Sequence, residues 1–148
     1  MRIALGCDHA GFALKEKVKE HLAGTGVQVQ DVGTHSSERV DYPDYAEKVG
    51  TAVSHGEADR GILVCGTGLG ACIAANKIRG IRAASVWTKE LARLSRAHND
   101  ANVLCLSGWY MDIALARELV DIFLDTPFEG GRHQRRLEKI SDLEKHDP

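Results

Sequence analysis

The run Gly61-Ile62-Leu63-Val64-Cys65 is apolar throughout and passes directly into Gly66-Thr67-Gly68-Leu69-Gly70-Ala71. A short apolar run bounded by glycine reads as a core strand, and glycines after it let backbone N–H groups converge where a helix begins. The segment therefore predicts a strand that turns into a helix, with a thiol at the turn. Around it, short β-rich runs alternate with amphipathic stretches, the pattern of a parallel sheet covered by helices on both faces. Five strands are expected, at Arg2 to Cys7, Val27 to Val32, Gly61 to Cys65, Ile81 to Val86 and Val103 to Ser107. Tyr45, Val49, Ala52 and Val53 recur at helical spacing, as do Ile113, Ala116, Val120 and Phe123. After the break at Pro127-Phe128-Glu129-Gly130-Gly131, a last helix from about Arg132 to Lys145 carries Leu137, Ile140 and Leu143, a stripe that suits this subunit or a neighbour.

The 148 residues fit one domain, 1–148, large enough for a core without disulfides. Cys7, Cys65, Cys72 and Cys105 are scattered with no Cys-x-x-Cys pair, which suits a reducing cytoplasm. The apolar start is cut off at Asp8 and His9, too short for a signal peptide, and every apolar run ends well before the roughly 18 residues of a membrane span. A net charge of −2 offers nucleic acid no global attraction, and the Arg132, Arg135, Arg136 cluster reads first as a solvated helix face.

Ligands of open parallel sheets collect at the carboxyl ends of strands. Three polar clusters follow strands here: Cys7-Asp8-His9, Cys65-Gly66-Thr67-Gly68 and Gly108-Trp109-Tyr110. At the second, a helix N-terminus is expected to favour the thiolate of Cys65, which then serves as base or nucleophile; the plainer alternative is an inert strand cysteine before a tight turn. Asp8 and His9 suit proton transfer or hydroxyl binding, or merely helix capping. His98 closes the fourth helix, where it is either a partner of the dipole or an acid near neutrality, and Asn99 is a common helix stop. Arg132 and Arg136, four apart, share a helix face and suit a phosphate, or pair with Glu138 and Glu144 on a solvated surface.

Other chemistries fail on spacing. The turn runs Gly-x-Gly-x-Gly rather than Gly-x-Gly-x-x-Gly, and no Gly-Lys-Ser/Thr follows, which disfavours a dinucleotide or nucleotide cofactor. Ala71 stands where a cysteine phosphatase places its arginine. His21, His55 and His146 read as surface residues, and no His/Cys cluster has zinc spacing.

Taken together, Gly6-Cys7-Asp8-His9-Ala10-Gly11, Asp41-Tyr42-Pro43, Cys65-Gly66-Thr67-Gly68-Leu69-Gly70, His98-Asn99-Asp100-Ala101-Asn102 and Gly130-Gly131-Arg132-His133 closely resemble the type B ribose-5-phosphate isomerase family, from Met1 to about Leu143. The resemblance implies a three-layer Rossmann-like α/β sandwich, no metal or organic cofactor, and a homodimer, or a tetramer, with active sites shared between subunits. It implies Cys65 as the base that moves a proton between C2 and C1, and Thr67 with the amides from Gly66 to Ala71, those of Gly68, Leu69 and Gly70 among them, as an anion hole. His98 would open the furanose ring, Asp8 and His9 would contact sugar and phosphate, and Asn99 a hydroxyl or the enediolate. Arg132 and Arg136 would clamp the phosphate and Tyr42 would line the pocket. Trp109 departs from the pattern, since many relatives carry an arginine there; an indole covers a sugar face but cannot neutralise phosphate. Ribose 5-phosphate and ribulose 5-phosphate are the expected pair. The same chemistry on allose, galactose or tetrose phosphates, or a non-catalytic sugar-phosphate module, are the alternatives.

Overall fold

A computed structural model describes residues 1–146. Its centre is a five-stranded sheet, with every strand pair parallel, in the order β2-β1-β3-β5-β4. The strands are β1 (Arg2–Cys7), β2 (Gln28–Gly33), β3 (Arg60–Cys65), β4 (Ala83–Ser85) and β5 (Val103–Ser107). Between and after them run α1 (Phe12–Ala23), α2 (Tyr42–Ser54), α3 (Leu69–Ala75), α4 (Lys89–Ala97), α5 (Ile113–Asp125) and α6 (Arg132–Leu143), with a short 3-10 turn at Glu144–His146. No helix among the described residues is long and apolar enough to cross a membrane.

Alternation along each strand divides the core in two, because successive side chains point to opposite faces. Ile3, Leu5, Ile62, Val64, Leu104 and Leu106 meet α1, α4 and α5 through Val18, Leu22, Ala92, Leu119 and Phe123. Ala4, Leu63, Cys65, Val103 and Cys105 meet α2 and α3 through Ala46, Val49, Ala71 and Ala75. The three inner strands are buried on both sides, which is why they read as continuous apolar runs.

Strand β4 is shorter than the Ile81 to Val86 expected. It pairs only with β5, and at its start side-chain amides replace a second strand: Asn102 Oδ1 accepts from the Arg82 N–H at 2.7 Å and Asn76 Oδ1 from the Ala83 N–H at 2.8 Å. The last helix also differs. Only His133 and Leu137 are buried, while Ile140 and Leu143 of the expected stripe face outward.

Topology decides where the ends of these elements lie. Each helix between strands returns antiparallel to the sheet, so α1, α2, α3 and α5 begin at the carboxyl rim. The end of α4, and the start of α6 after α5, lie at the amino rim. The connection after β1 leaves on the α1 face and that after β3 on the α3 face, so the chain diverges between two adjacent strands, the place where open sheets bind ligands.

Candidate active site

The three clusters expected at the carboxyl rim meet there. The Asp8 N–H donates to the Val64 carbonyl at 3.2 Å, the Gly108 N–H to the Cys65 carbonyl at 2.8 Å and the Trp109 N–H to the Gly66 carbonyl at 3.0 Å. Ser107, which sequence reasoning passed over, knits them further: its hydroxyl donates to the Gly66 carbonyl at 2.7 Å and accepts from the Tyr110 N–H at 3.0 Å. Only its place as the last residue of a buried strand hints at that work.

Cys65 lies at the floor of this rim, 3% exposed, and its Sγ accepts the Gly68 N–H at 3.2 Å. Gly68 has φ +80 and its missing Cβ would come 3.1 Å from the Leu106 backbone, so only glycine brings that amide to the sulfur without strain. Thr67 Oγ1 accepts the Leu69 N–H at 3.2 Å. The Gly70 and Ala71 N–H groups belong to the first turn of α3, where no intrahelical acceptor exists. Two aromatic rings wall the loop: the Trp109 indole lies where a Cβ on Gly66 would be, 2.9 Å away, and the Tyr42 ring faces Gly70 in the same way at 2.6 Å.

Asp8 is buried and its Oδ1 accepts the Gly11 N–H at 3.0 Å, closing the turn before α1, and its second oxygen has no hydrogen-bond partner among the described residues. The His9 ring turns to the loop before α2, with Nδ1 3.0 Å from the Val40 carbonyl and 3.2 Å from the Val40 N. Asp8, His9, Tyr42, Cys65, Gly66, Thr67, Gly68, Leu69, Gly70 and Trp109 thus share one rim.

His98, Asn99, Arg132 and Arg136 do not join them within the chain. The Gly61 N–H donates to the carbonyl of Asn102, which sets the amino end of β5 level with the start of β3. Cys65 is four strand residues further on, about 13 Å at the usual rise. His98 caps the end of α4 behind that level, and its ring stacks on His133 at 4.1 Å between centroids and 17° between planes. Asn99 is exposed beside it; the left-handed residue that ends the helix is its neighbour Asp100, at φ +44. Arg132 and Arg136 are exposed and make no ion pair or hydrogen bond with any described residue. The acids that could have neutralised them are taken elsewhere, Glu138 by the Gln134 amide and Glu144 by the Gly80 N–H. Glu129, which sequence reasoning did not single out, faces both histidines, at 3.8 Å from His98 Nε2 and 3.7 Å from His133 Nε2. Glu129 and His133 are four apart in sequence, but no linear spacing brings His98 to them.

A cavity of about 670 Å³ opens away from Cys65. It lies between the end of α3 and α6 and is lined by Asn76, Ile78, Arg82, Asn99, Ile140 and Leu143, among others. Over the thiol a single chain supplies a floor and two aromatic walls.

Comparison with known proteins gives the family. The family model described as Ribose/Galactose Isomerase matches residues 3–140. Ribose-5-phosphate isomerase B of Escherichia coli K12 is 52% identical over 144 residues, covering 97% of each chain. The solved structure of ribose-5-phosphate isomerase B from Clostridium thermocellum superposes with a TM-score of 0.97 at 50% identity, over 98% of each chain. That of the Mycoplasma genitalium enzyme with bound ribulose-5-phosphate gives 0.94 at 44% identity, over 99% of this chain and 97% of that one. A rim that gathers a buried thiol and glycine amides, on this strand order and with these relatives over nearly its whole length, identifies the chain as a member of the ribose/galactose isomerase family.

Proposed function

We propose that this protein is an aldose–ketose isomerase that interconverts ribose 5-phosphate and ribulose 5-phosphate, without a metal or organic cofactor, as a homodimer with composite active sites. The observation that carries the chemistry is the Cys65 sulfur held by the Gly68 N–H beside the first-turn amides of α3. Moving a carbonyl between C1 and C2 removes a C–H proton and leaves an enediolate, which fixed donors stabilise better than water because they need no reorganisation. In this reading Cys65 as thiolate takes the C2 proton and returns it to C1. Thr67 and the loop amides hold the enediolate oxygen, and Asp8 accepts from a sugar hydroxyl through its free carboxylate oxygen. Ribulose-5-phosphate bound to the Mycoplasma genitalium relative supports a five-carbon substrate.

The split between rims supports the dimer. His98, Asn99, Arg132 and Arg136 are out of reach of Cys65 in their own chain, yet they are the groups suited to opening a furanose ring and binding a phosphate. A second copy placing its amino rim over the first one's carboxyl rim completes both sites. Exposed apolar side chains around the carboxyl rim, Tyr42, Leu69, Ile73, Trp109 and Tyr110, supply surface for that contact. Free thiols in all four positions support a reducing compartment, the cytoplasm.

Trp109 favours a second reading, the same reaction on a hexose 6-phosphate, because its indole offers apolar cover for a longer sugar rather than charge for the phosphate. Turnover measured in EDTA-containing buffer with tetrose, pentose and hexose phosphates decides between them: the highest kcat/KM is expected for ribose 5-phosphate, and a clear preference for another chain length rejects that substrate. Cys65→Ala is expected to lower kcat by about 10²–10⁴-fold while sugar-phosphate binding remains. Unchanged turnover in that variant rejects the base, and an absence of turnover in the parent protein leaves only a binding module.

A further inference from the structure

The amino rim holds a group of ligands whose chemistry is not exhausted by the isomerase reading. One ring nitrogen each from His98 and His133 and one Glu129 oxygen all lie within 4.8 Å of one another. Glu129 is held in place from two sides, by its N–H donating to the Ala97 carbonyl at 3.0 Å and by Arg93 at 4.0 Å from its other oxygen. His133 is buried under the His98 ring. We propose that His98, His133 and Glu129 form a binding site for a divalent transition-metal ion of the zinc type, and that an ion bound there inhibits the isomerase by occupying His98.

Two imidazoles and one carboxylate are a borderline-soft donor set that suits Zn²⁺, Co²⁺ or Ni²⁺ over Mg²⁺ or Ca²⁺. Bonds of about 2.0–2.1 Å in a tetrahedron put ligand atoms about 3.4 Å apart, so the two carboxylate-to-imidazole distances of 3.8 and 3.7 Å contract only slightly. The stacked rings must fan open, since a metal lies in the plane of each imidazole that binds it. His98 is free to do so: its side chain is 34% exposed and its ring makes no hydrogen bond among the described residues. Arg93 and Arg132 close by oppose a dication and set the affinity at a reversible, regulatory level rather than that of a structural zinc. Metal binding itself stands on the geometry; only the inhibition rests on His98 being the ring-opening acid.

The test is a Co²⁺ titration of the intact, EDTA-treated protein followed by visible absorption, with Zn²⁺ calorimetry in parallel, on the wild type and on Glu129→Gln and His133→Asn. Saturation at one ion per chain is expected, weakened by about 10–100-fold or more in each variant, given that even residues behind the ligands matter by that much. Circular dichroism melts keep folding defects apart from lost ligation. Absence of saturable Co²⁺ absorption, or equal affinity in folded variants, overturns the site. Added Zn²⁺ should inhibit ribose 5-phosphate turnover reversibly by EDTA, and the inhibition constant of Glu129→Gln should rise by the same factor as its dissociation constant. Inhibition that is the same in both variants would put the metal on a thiolate such as Cys65 and overturn the proposal. Saturable binding at these residues without inhibition would uphold the metal site and count against His98 as the acid, whereas turnover without any metal binding would leave the isomerase reading standing and remove the site.

Discussion

Burial pushes the Cys7 thiol up to about 12, outweighing the nearby Lys15 ammonium that favours its charged form, and its Sγ donates to the Thr34 carbonyl at 3.7 Å. Cys105 is likewise held well above the ordinary thiol range, by its hydrogen bond with Cys72 and by burial. The same hydrogen bond lowers Cys72 to about 7 against the opposing effect of its burial. Native-state alkylation should therefore label Cys72 with a half-maximal rate near pH 7, while Cys7 and Cys105 stay unlabelled until the protein unfolds; peptide mapping that finds Cys105 modified before Cys72 contradicts this. In the sequence all four cysteines look alike, small apolar residues on strands or helices. Cys65 stands out there only because glycines follow it. The pairing of Cys72 with Cys105 has no linear signal, because it spans α3 and β5.

At the scale of elements, α1 is fastened to the sheet edge by an ion that no amphipathic pattern predicts. Lys15 is fully buried, and its ammonium donates to Asp31 at 3.0 and 2.9 Å and to the Thr34 carbonyl at 2.8 Å, with Glu16 at 3.1 Å. It thereby fixes the end of β2 and the loop beside Cys7. Removing one member of a buried pair leaves the other uncompensated, so Lys15→Met should lower unfolding stability at pH 7 by about 3 kcal/mol, the lower end for such pairs because Lys19 still holds Asp31. Burial raises the Asp31 carboxyl, but hydrogen bonds from Lys19, Lys15 and the Gly33 N–H outweigh it and leave the group below its ordinary range. Its contribution is therefore complete above the unfolded value of about 3.9 and fades as pH falls through the lower folded one. Urea titrations should show the gap between variant and parent narrowing below about pH 4; a gap that widens in acid contradicts the assignment. The elements themselves were largely legible, since apolar strands and helical periodicity are local. The short β4 was not, because Asn76 and Asn102, from elsewhere in the chain, take the backbone N–H groups at its start.

For the whole molecule, the distance between the rims makes a sharp prediction. In the proposed homodimer, Cys65→Ala and His98→Asn variants should each be nearly inactive, but subunits mixed and re-equilibrated at equal amounts should recover about 25% of wild-type turnover. Half the dimers are then mixed, and each of these has one site with both groups intact and one with neither. No recovery after demonstrated subunit exchange would mean that both groups serve the site of their own chain.

The linear order of residues was enough to determine the layered parallel sheet, the thiol before its glycines and the three clusters after β1, β3 and β5. Each of these depends on neighbours a few positions away and on the period of the element that carries them. The tertiary structure alone decided which groups meet. It sent His98, Asn99, Arg132 and Arg136 to the rim opposite Cys65, because a helix returning antiparallel to its strand ends about a strand's length from where it began. It also turned Ile140 and Leu143 outward and brought Glu129 and His133 to His98, through packing between segments whose separation along the chain carries no record of their contact.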